Sequence, residues 1–276
     1  MNPVLTIAGK EIRDSLRNRW LLMISLILLV LSLCVSFGGS AISGSLDMPS
    51  VGSLLSGLVT LSVFLLPLAA ILLSYDAFVG EEEAGTLLLM LTYPVTKLEM
   101  LLGKFLGHIS LLAMACLLGF GPTVALLLVA TKLPAAEVLQ AFGHFIASGL
   151  LLAMVFILLG YLISLSVREK ARALGALLFI WFLVVLIYDL ALLATVVALA
   201  DVLSRQTLNL MILANPADIF RALNLLTVDL GPQAGQSALA ALSQTGLGLG
   251  SLYALMLCWV LALLAICQLR FVRKTL

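Results

Sequence analysis

The sequence predicts an all-α protein that crosses a membrane six times, and its composition and the pattern of its apolar runs carry that prediction. Of the 276 residues, 63% are hydrophobic and 11% are charged, whereas an ordinary soluble domain has about 25% charged residues. A soluble fold of this length could not cover so much apolar surface. The net charge of +1 gives no reason to expect a nucleic-acid binder. The apolar runs do not alternate as the strands of a membrane barrel do, so the spans are expected to be helices.

Six apolar runs approach or exceed the roughly 20 residues that a helix needs to cross a bilayer. The first follows a basic stretch, as the core of a signal peptide does, but it is longer than the usual core of about 7–15 residues. We therefore expect it to be retained as a span. Pro67 and Pro122 fall inside two of the runs and predict kinks there. The predicted spans are 20–37, 54–74, 105–130, 142–167, 173–200 and 247–269.

Lysine and arginine are distributed unevenly between the two sets of span ends. Twelve of the 15 basic residues lie at one set of ends, and the other set has only Lys132, Arg205 and Arg221. Basic residues are concentrated in the cytoplasmic loops of membrane proteins. This bias and the even number of spans both predict that the two termini lie in the cytoplasm.

Residues 1–19 precede the first span and are too polar to cross a membrane. Apolar residues recur every three or four positions from Leu5 to Trp20, whereas Lys10, Arg13 and Arg17 occupy the other face. A helix with one apolar and one basic face binds in the interface of a bilayer. We therefore expect an interfacial amphipathic helix over 1–19, and the alternative is a solvated basic flank.

The loop over 75–104 contains two helix signals. Acidic residues at 81–83 favour the start of a helix, and we expect a short helix over about 82–91, ended by Pro94. Thr96 and Glu99 then form a capping-box pattern. This pattern predicts a new helix that continues through Gly103 and Lys104 into the third span.

A short apolar helix at the basic ends of the spans cannot cross the membrane. It must therefore pack on the bilayer, on its own bundle or on another protein. Docking on a soluble partner is one interpretation and simple loop packing is the other. The short basic turn at Arg168, Lys170 and Arg172 is either a second cytoplasmic contact or only a positive-inside signal. The candidate contact residues of the loop are Glu81, Glu82, Glu83, Gly85, Thr86, Leu87, Leu91, Tyr93 and Pro94.

Two features lie towards the other side of the membrane. Asp189 falls in the outer half of the fifth span, where a carboxylate is costly. It is either a pathway-lining or gating residue or a hydrogen-bonded residue of the bundle. In the outer segment 201–246, Asn215, Pro216 and Asp218 predict a helix start, because Asn caps, Pro suits the first turn and Asp favours the helix dipole. Residues 229–246 are rich in Gly, Gln and Ser and predict looser structure.

The sequence carries no catalytic motif that we recognise. The pair Gly103-Lys104 is not followed by Ser or Thr, so it is not a P-loop. His108 and His144, together with the methionines and cysteines, suggest a copper path because these groups bind copper. However, they do not fall at a ligand spacing, and methionine commonly fills apolar interiors. We therefore predict no metal site and no cofactor in this chain.

Two stretches carry a resemblance to the ABC-2 type permeases of ABC transporters. One is IAGKEIRD at 7–14, and the other is EEEAGTLLLMLTYPVT at 81–96, followed by Gly103-Lys104. The resemblance covers nearly the whole chain and implies a single permease domain over 1–276 that works as a homodimer in the bacterial inner membrane. It also implies that 75–104 is a cytoplasmic coupling loop that docks on a separate ATPase subunit. That subunit would bind ATP and Mg, and this chain would have no catalytic site.

A narrower resemblance is carried by the opening residues, by Tyr93-Pro94 and by NPADIFR at 215–221. It is to the permeases of transporters that serve the maturation of nitrous oxide reductase. This resemblance implies a cytoplasmic ATPase subunit and a periplasmic subunit as partners, and the supply of copper or a sulfur species to copper centres. Two alternatives stay open. One is a mechanotransmitter or membrane anchor that moves no cargo, and the other is an ion-coupled carrier that works alone.

Overall fold

The computed structural model describes residues 2–43, 51–130, 134–198, 204–227 and 248–274, and within these ranges it contains helices and no β-strand. The all-α prediction is therefore confirmed. A π-helical segment, Phe182–Ile187, lies between α8 and α9. The helices are α1 (Pro3–Arg17), α2 (Trp20–Ser43), α3 (Val51–Ser74), α4 (Val79–Glu83), α5 (Thr86–Leu91), α6 (Lys97–Ala130), α7 (Ala135–Ser164), α8 (Lys170–Trp181), α9 (Tyr188–Ala198), α10 (Arg205–Ala214), α11 (Pro216–Thr227) and α12 (Leu249–Arg273).

Six helical stretches among the described residues are long and apolar enough to cross a membrane, and each corresponds to a predicted span. Several helices extend beyond the predicted spans, because we counted apolar residues and a helix continues into water at its polar ends. The predicted ends at 200 and 247 lie outside the described residues. The six stretches are Trp20–Phe37, Val51–Glu83, Lys97–Val129, Ala135–Ser164, Lys170–Ala198 and Leu249–Arg273.

The helices α3 and α7 form the centre of the bundle and pack against each other. α7 also contacts α6, α11 and α12, whereas α2 packs mainly on α6. In an 18-residue apolar stretch of the second span 61% of the residues are buried, whereas in the corresponding stretch of the fifth span 17% are. The fifth span therefore lies at the periphery, and most of its surface is free for lipid or another chain.

The fifth span departs from a regular α-helix in its middle. Phe182–Ile187 is π-helical, and such a turn disturbs the usual main-chain hydrogen bonds of an α-helix. The side-chain amide of Asn215 donates to the carbonyl of Val184 over 2.9 Å. A residue at the start of α11 thus provides a donor for a carbonyl of the span, an arrangement that we did not predict.

The predicted N-terminal helix is present as α1, and it packs on α6 through Ala8 of the predicted stripe together with the neighbouring Ile7 and Glu11. Gly103 of α6 admits α1 closely, because a Cβ at this position would lie 2.7 Å from Ile7. Glu11 is buried, while Leu5 and Leu16 are 65% and 47% exposed. Leu5 and Leu16 of the predicted stripe therefore face away from the bundle, where they are available to a bilayer, whereas Ala8 is buried.

The helix α11 begins where the sequence predicts. Asn215 Oδ1 accepts a hydrogen bond from the amide of Ala217 at 3.0 Å, and Pro216 and Asp218 occupy the first turn. The helix packs against α7, α12 and α3, and residues 216–220 are all buried. The predicted looser segment 229–246 lies outside the described residues.

Candidate functional site: the junction around α4

The short helix α4 lies where several longer helices end, and its consecutive glutamates bind different neighbours. Glu82 forms an ion pair with Lys274, which follows α12. Glu83 Oε1 accepts the main-chain amide of Lys170, the first residue of α8, at 2.8 Å. Glu81 binds Lys104 of α6 and Lys10 of α1. We call α4 and the residues that hold it the α4 junction, which comprises Lys10, Glu11, Phe78, Glu81, Glu82, Glu83, Lys104, Ser164, Lys170 and Lys274.

Lys104 is the buried cation at the centre of the α4 junction, with a side chain that is 2% exposed. Its Nζ donates to Glu11 Oε1 at 2.9 Å and to Glu81 Oε1 at 2.8 Å. It also lies 5.7 Å from the centroid of the Phe78 ring. Lys10 Nζ donates to Glu81 Oε1 as well, at 3.1 Å. A buried ammonium needs such partners, and here they connect α1, α4 and α6.

A second layer of polar contacts continues from Glu11 towards α7. Burial raises the pKa of Glu11, but Lys104 and the other nearby cations lower it further, to about 2. Glu11 Oε2 lies 3.7 Å from His108 Nε2, and His108 Nδ1 lies 2.6 Å from the hydroxyl of Tyr161. The Tyr161 ring packs edge-on against Phe78 at 5.3 Å between centroids. The network therefore reaches the end of α7.

The start of α4 is held through its main chain. Ser164 Oγ, at the end of α7, accepts hydrogen bonds from the amides of Phe78 at 3.1 Å and Val79 at 3.0 Å. These are amides that a helix start leaves without partners. The Phe78 ring also packs on Phe271 of α12 at 5.0 Å between centroids. α4 is thus fixed at both its main chain and its side chains.

The start of α6 confirms the predicted capping box. Glu99 Oε2 accepts from the amide and hydroxyl of Thr96, both at 2.8 Å, and the amide of Glu99 donates to Thr96 Oγ1 at 3.2 Å. Lys97 Nζ donates to the carbonyls of Phe271 at 2.9 Å and Lys274 at 3.2 Å. The first turn of α6 is therefore joined to the last turn of α12.

The predicted single helix over 82–91 is wrong, because two helices occupy this stretch. α4 ends at Glu83 and α5 begins at Thr86. Between them Gly85 has a φ of +70°, a left-handed conformation that glycine adopts without steric cost. The left-handed turn separates α5 from α4, whose three glutamates bind residues of other helices or of their ends.

The helix α5 presents an exposed apolar surface. Leu88 and Leu89 are 63% and 59% exposed, and Tyr93, just after the helix, is 63% exposed. Leu87 is buried and faces the bundle. A helix of six residues is too short to span a bilayer, so exposed leucines on it mark a surface that another molecule can cover.

The candidate residues of the loop therefore divide into two groups. Glu81, Glu82 and Leu87 contact the protein's own helices, and Glu83 does so through one carboxylate oxygen. The side chain of Leu91 lies outside the described part of the chain. The exposed candidates are Gly85, Thr86, Tyr93 and Pro94.

Sequence reasoning missed Leu88, Leu89, Glu11 and Lys104. The two leucines lie inside the apolar run that we used to predict the helix, and their exposure depends on the turn at Gly85. Lys104 entered the prediction only as part of the Gly103-Lys104 pair. A lysine on a helix that enters a span requires an acidic partner, and this signal could have directed attention to Glu11.

The basic turn between α7 and α8 also touches the α4 junction. Lys170 contributes the amide that binds Glu83. Arg172 Nε donates to Glu169 at 2.9 Å in an ion pair that is exposed on both sides. Arg168 lines a cavity together with the end of α12.

At the other end of the bundle, Asp189 belongs to a cluster that joins the fifth span to α11. Arg221 Nη1 lies 2.7 Å from Asp189 Oδ1 and 2.9 Å from Asp218 Oδ1. Asn215 Nδ2 donates to Asp218 Oδ2 at 3.0 Å. Burial raises the pKa of Asp218 to about 6 although Arg221 opposes the shift. The helix-start residues and Asp189 thus form one cluster, which the sequence did not predict.

The two histidines bind tyrosines. His108 contacts Tyr161, and His144 Nδ1 lies 3.3 Å from the hydroxyl of Tyr253. Within the ranges that the structure describes, no three His, Cys, Asp or Glu side chains converge in a way that could hold a metal ion.

Comparison with known proteins defines the class of this chain. The model of the ABC-2 family transporter proteins matches residues 5–276, so the chain belongs to that family. It is a multi-pass bacterial membrane permease, the subunit type that works with an ATPase partner.

Two relatives carry the same description, "Probable ABC transporter permease protein NosY". The chain is 44% identical over 275 residues to the protein of Pseudomonas aeruginosa, covering 99% of each chain. It is 46% identical over 226 residues to the protein of Stutzerimonas stutzeri, covering 82% of each.

Proposed function

We propose that this permease forms a homodimer whose α5 helices, together with Tyr93 and Pro94, dock on two cytoplasmic ATPase subunits. The observation that carries the proposal is the exposed apolar surface of Leu88 and Leu89 on a helix that directly follows α4. The positive-inside bias supports a cytoplasmic location for this surface and for both termini. The location is the bacterial inner membrane.

The α4 junction supplies a route from the docking surface to the spans. A displacement of α5 acts on α4 through the turn at Gly85, and α4 is bound to α1, α6, α8 and the end of α12. ATP and Mg are bound by the partner, and this chain supplies no catalytic group. ATP binding by the partner would shift the equilibrium between two packing arrangements of the spans.

The biological role that we propose is the maturation of nitrous oxide reductase. The permease description shared by the two relatives supports this role, as does the resemblance of the opening, loop and α11 residues. The partners would be a NosF-like ATPase subunit and a NosD-like periplasmic subunit. The cargo would be copper or a sulfur species for the copper centres.

A second candidate is mechanical transmission without cargo. Arg221 joins Asp189 of the fifth span to Asp218 of α11, and α11 is packed among the spans. Movement of the fifth span would therefore move α11 and could alter a periplasmic partner directly. Transport of a labelled cargo into vesicles separates this candidate from the first.

The test of docking is co-purification with the NosF-like ATPase subunit. In a Leu88→Asp, Leu89→Asp variant we expect at least a tenfold loss of bound ATPase subunit, because two charges would replace the apolar surface. The matched control is Leu210→Asp, which introduces the same side chain at a residue of α10 with 69% exposure, and it should bind normally. Full ATPase binding by the double variant, with coupled ATP hydrolysis intact, would refute the docking surface.

A further inference from the structure

A second concentration of charge lies beside the α4 junction, where the end of α12 meets the turn between α7 and α8. A cavity of about 220 Å³ opens there. A single water molecule needs about 10–15 Å³ of such space, so the cavity can hold a hydrated phosphate group. The polar residues that line it are Glu82, Ser166, Arg168, Arg270, Arg273 and Lys274.

The cavity has more cations than its own carboxylate can neutralise. Glu82 is the acidic residue among its lining residues, and it already pairs with Lys274. Among the described residues, no carboxylate forms an ion pair with Arg168, Arg270 or Arg273. Guanidinium groups offer several donors in a fork that matches phosphate oxygens. The cavity is therefore suited to an anion that the chain does not supply.

The surface next to the cavity is apolar on the side towards the bilayer. Ile266 and Leu269 of α12 are 46% and 58% exposed. The spacing of three or four residues puts them on the same face of the helix as Arg270 and Arg273, about one turn further into the span. An anion with attached hydrocarbon chains would satisfy both parts of this face. A water-soluble anion would use only the arginines.

We propose that this cavity binds the phosphate headgroup of an anionic phospholipid, with its acyl chains against Ile266 and Leu269. Basic pockets between spans on the cytoplasmic side are suited to such headgroups. The assignment to the cytoplasmic leaflet rests on the proposed orientation, whereas the lipid site itself does not. Because Lys274 lines the cavity and binds Glu82, the lipid lies directly against the α4 junction.

The experiment measures lipid binding to the purified full-length protein in detergent by native mass spectrometry, with phosphatidylglycerol and phosphatidylcholine as probes. We expect phosphatidylglycerol to be retained at least tenfold more than phosphatidylcholine, and this preference to be lost in Arg270→Gln, Arg273→Gln. The control variant Arg13→Gln, Arg17→Gln removes equal charge from α1 and should keep the preference. The lipid-binding measurement needs neither an ATPase subunit nor a known leaflet, so its result does not depend on the proposed function.

Four results would overturn the proposal. One is equal retention of the two lipids by the unaltered protein, and another is an unchanged preference in the arginine double variant. The third is a double variant that keeps its phosphatidylglycerol but loses the ATPase subunit, because the cavity would then be a protein contact. Displacement of the lipid by millimolar inorganic phosphate would assign the site to a free anion and would also overturn it. If the double variant does not fold, Arg270→Gln and Arg273→Gln singly should each reduce the preference about threefold.

Discussion

Two clusters of charged residues hold the helices together at opposite ends of the bundle, and they are built differently. At the α4 end, the Lys104 ammonium lies between Glu11 and Glu81, with a side chain that is 2% exposed. At the α11 end, Arg221 lies between Asp218, which is 1% exposed, and Asp189, which is 46% exposed. The first cluster joins α1, α4 and α6, and the second joins the fifth span and α11.

The difference in surroundings gives the two clusters different chemistry. The cations around Glu11 lower its pKa to about 2 in spite of burial, so this carboxylate stays charged at any physiological pH. Burial raises the pKa of Asp218 to about 6 in spite of Arg221, so this carboxyl group takes up a proton just below neutral pH. The α4 end is therefore held by permanent charges, which suits a part that transmits force. At the α11 end, the charge of Asp218 changes with pH, and its neutral form is the one that folding favours.

The largest effect that distinguishes the clusters is expected from Lys104→Met. This change leaves Glu11 and Glu81 with no buried cation between them, and breaking a buried pair in this way costs about 3–5 kcal/mol. Thermal unfolding of the detergent-purified protein should show a large loss of stability. The exposed Lys10 is the control, because Lys10→Met removes solvent-screened pairs with Glu11, Asp14 and Glu81 that are each worth about 1 kcal/mol or less.

Addition of Glu11→Gln and Glu81→Gln to Lys104→Met should restore part of the lost stability, since the uncompensated charges are then removed. If Lys104→Met unfolds at the same temperature as Lys10→Met, the α4 end does not depend on its buried cation.

A smaller effect is expected from pH at the α11 end. The pKa of Asp218 is raised from 3.8 to about 6 in the folded protein, so the folded state binds the proton more tightly than the unfolded state. Stability should therefore rise by about 2 kcal/mol as the pH falls from above 6 to about 4. This added stability is lost as the pH rises through 6. Asp218→Asn should flatten this profile when thermal unfolding is followed from pH 7.5 to 4.5.

The stability that Glu11 contributes at the α4 end depends on pH in the opposite direction, and it changes over a different pH range. The pKa of Glu11 is lowered from 4.5 to about 2, so the stability that it contributes is present above pH 4.5 and is lost only as the pH falls towards 2.

An unchanged pH profile in Asp218→Asn would show that the α11 end does not titrate as described.

The smallest effect concerns the turn that separates α4 from α5. Gly85→Ala places a Cβ in the left-handed region, which costs about 1–2 kcal/mol, although nothing lies within 4 Å of the added atom. Gly9→Ala is the matched control inside α1, where space is equally open, and there alanine should stabilise by about 0.5–1 kcal/mol. Opposite shifts in unfolding temperature are expected. Equal shifts would mean that the left-handed turn is not required.

The sequence predicted the features that depend on neighbouring residues. The six spans follow from apolar length, the start of α6 follows from Thr96 and Glu99, and the start of α11 follows from Asn215 and Pro216. These patterns involve residues that are close together in the chain, so they can be recognised in a single sequence.

The α4 junction could not be predicted in the same way, because its contacts join residues far apart in the chain. Lys104 and Glu11 are separated by 93 positions, and Glu82 and Lys274 by 192. The face on which α1 packs is received by Gly103 and Gly107 of α6, which lie about 95 positions further along the chain than the residues they admit. The turn at Gly85 was also missed, because the surrounding residues all favour a helix.

The most direct test of the central claim is site-specific photocrosslinking from α5 in native membranes that contain the NosF-like ATPase subunit. A photoreactive residue at Leu88 or Leu89 should crosslink to that subunit, and the same residue at Leu210 should not. Crosslinks from Leu88 and Leu89 to lipid alone, with the ATPase subunit bound elsewhere, would contradict the account.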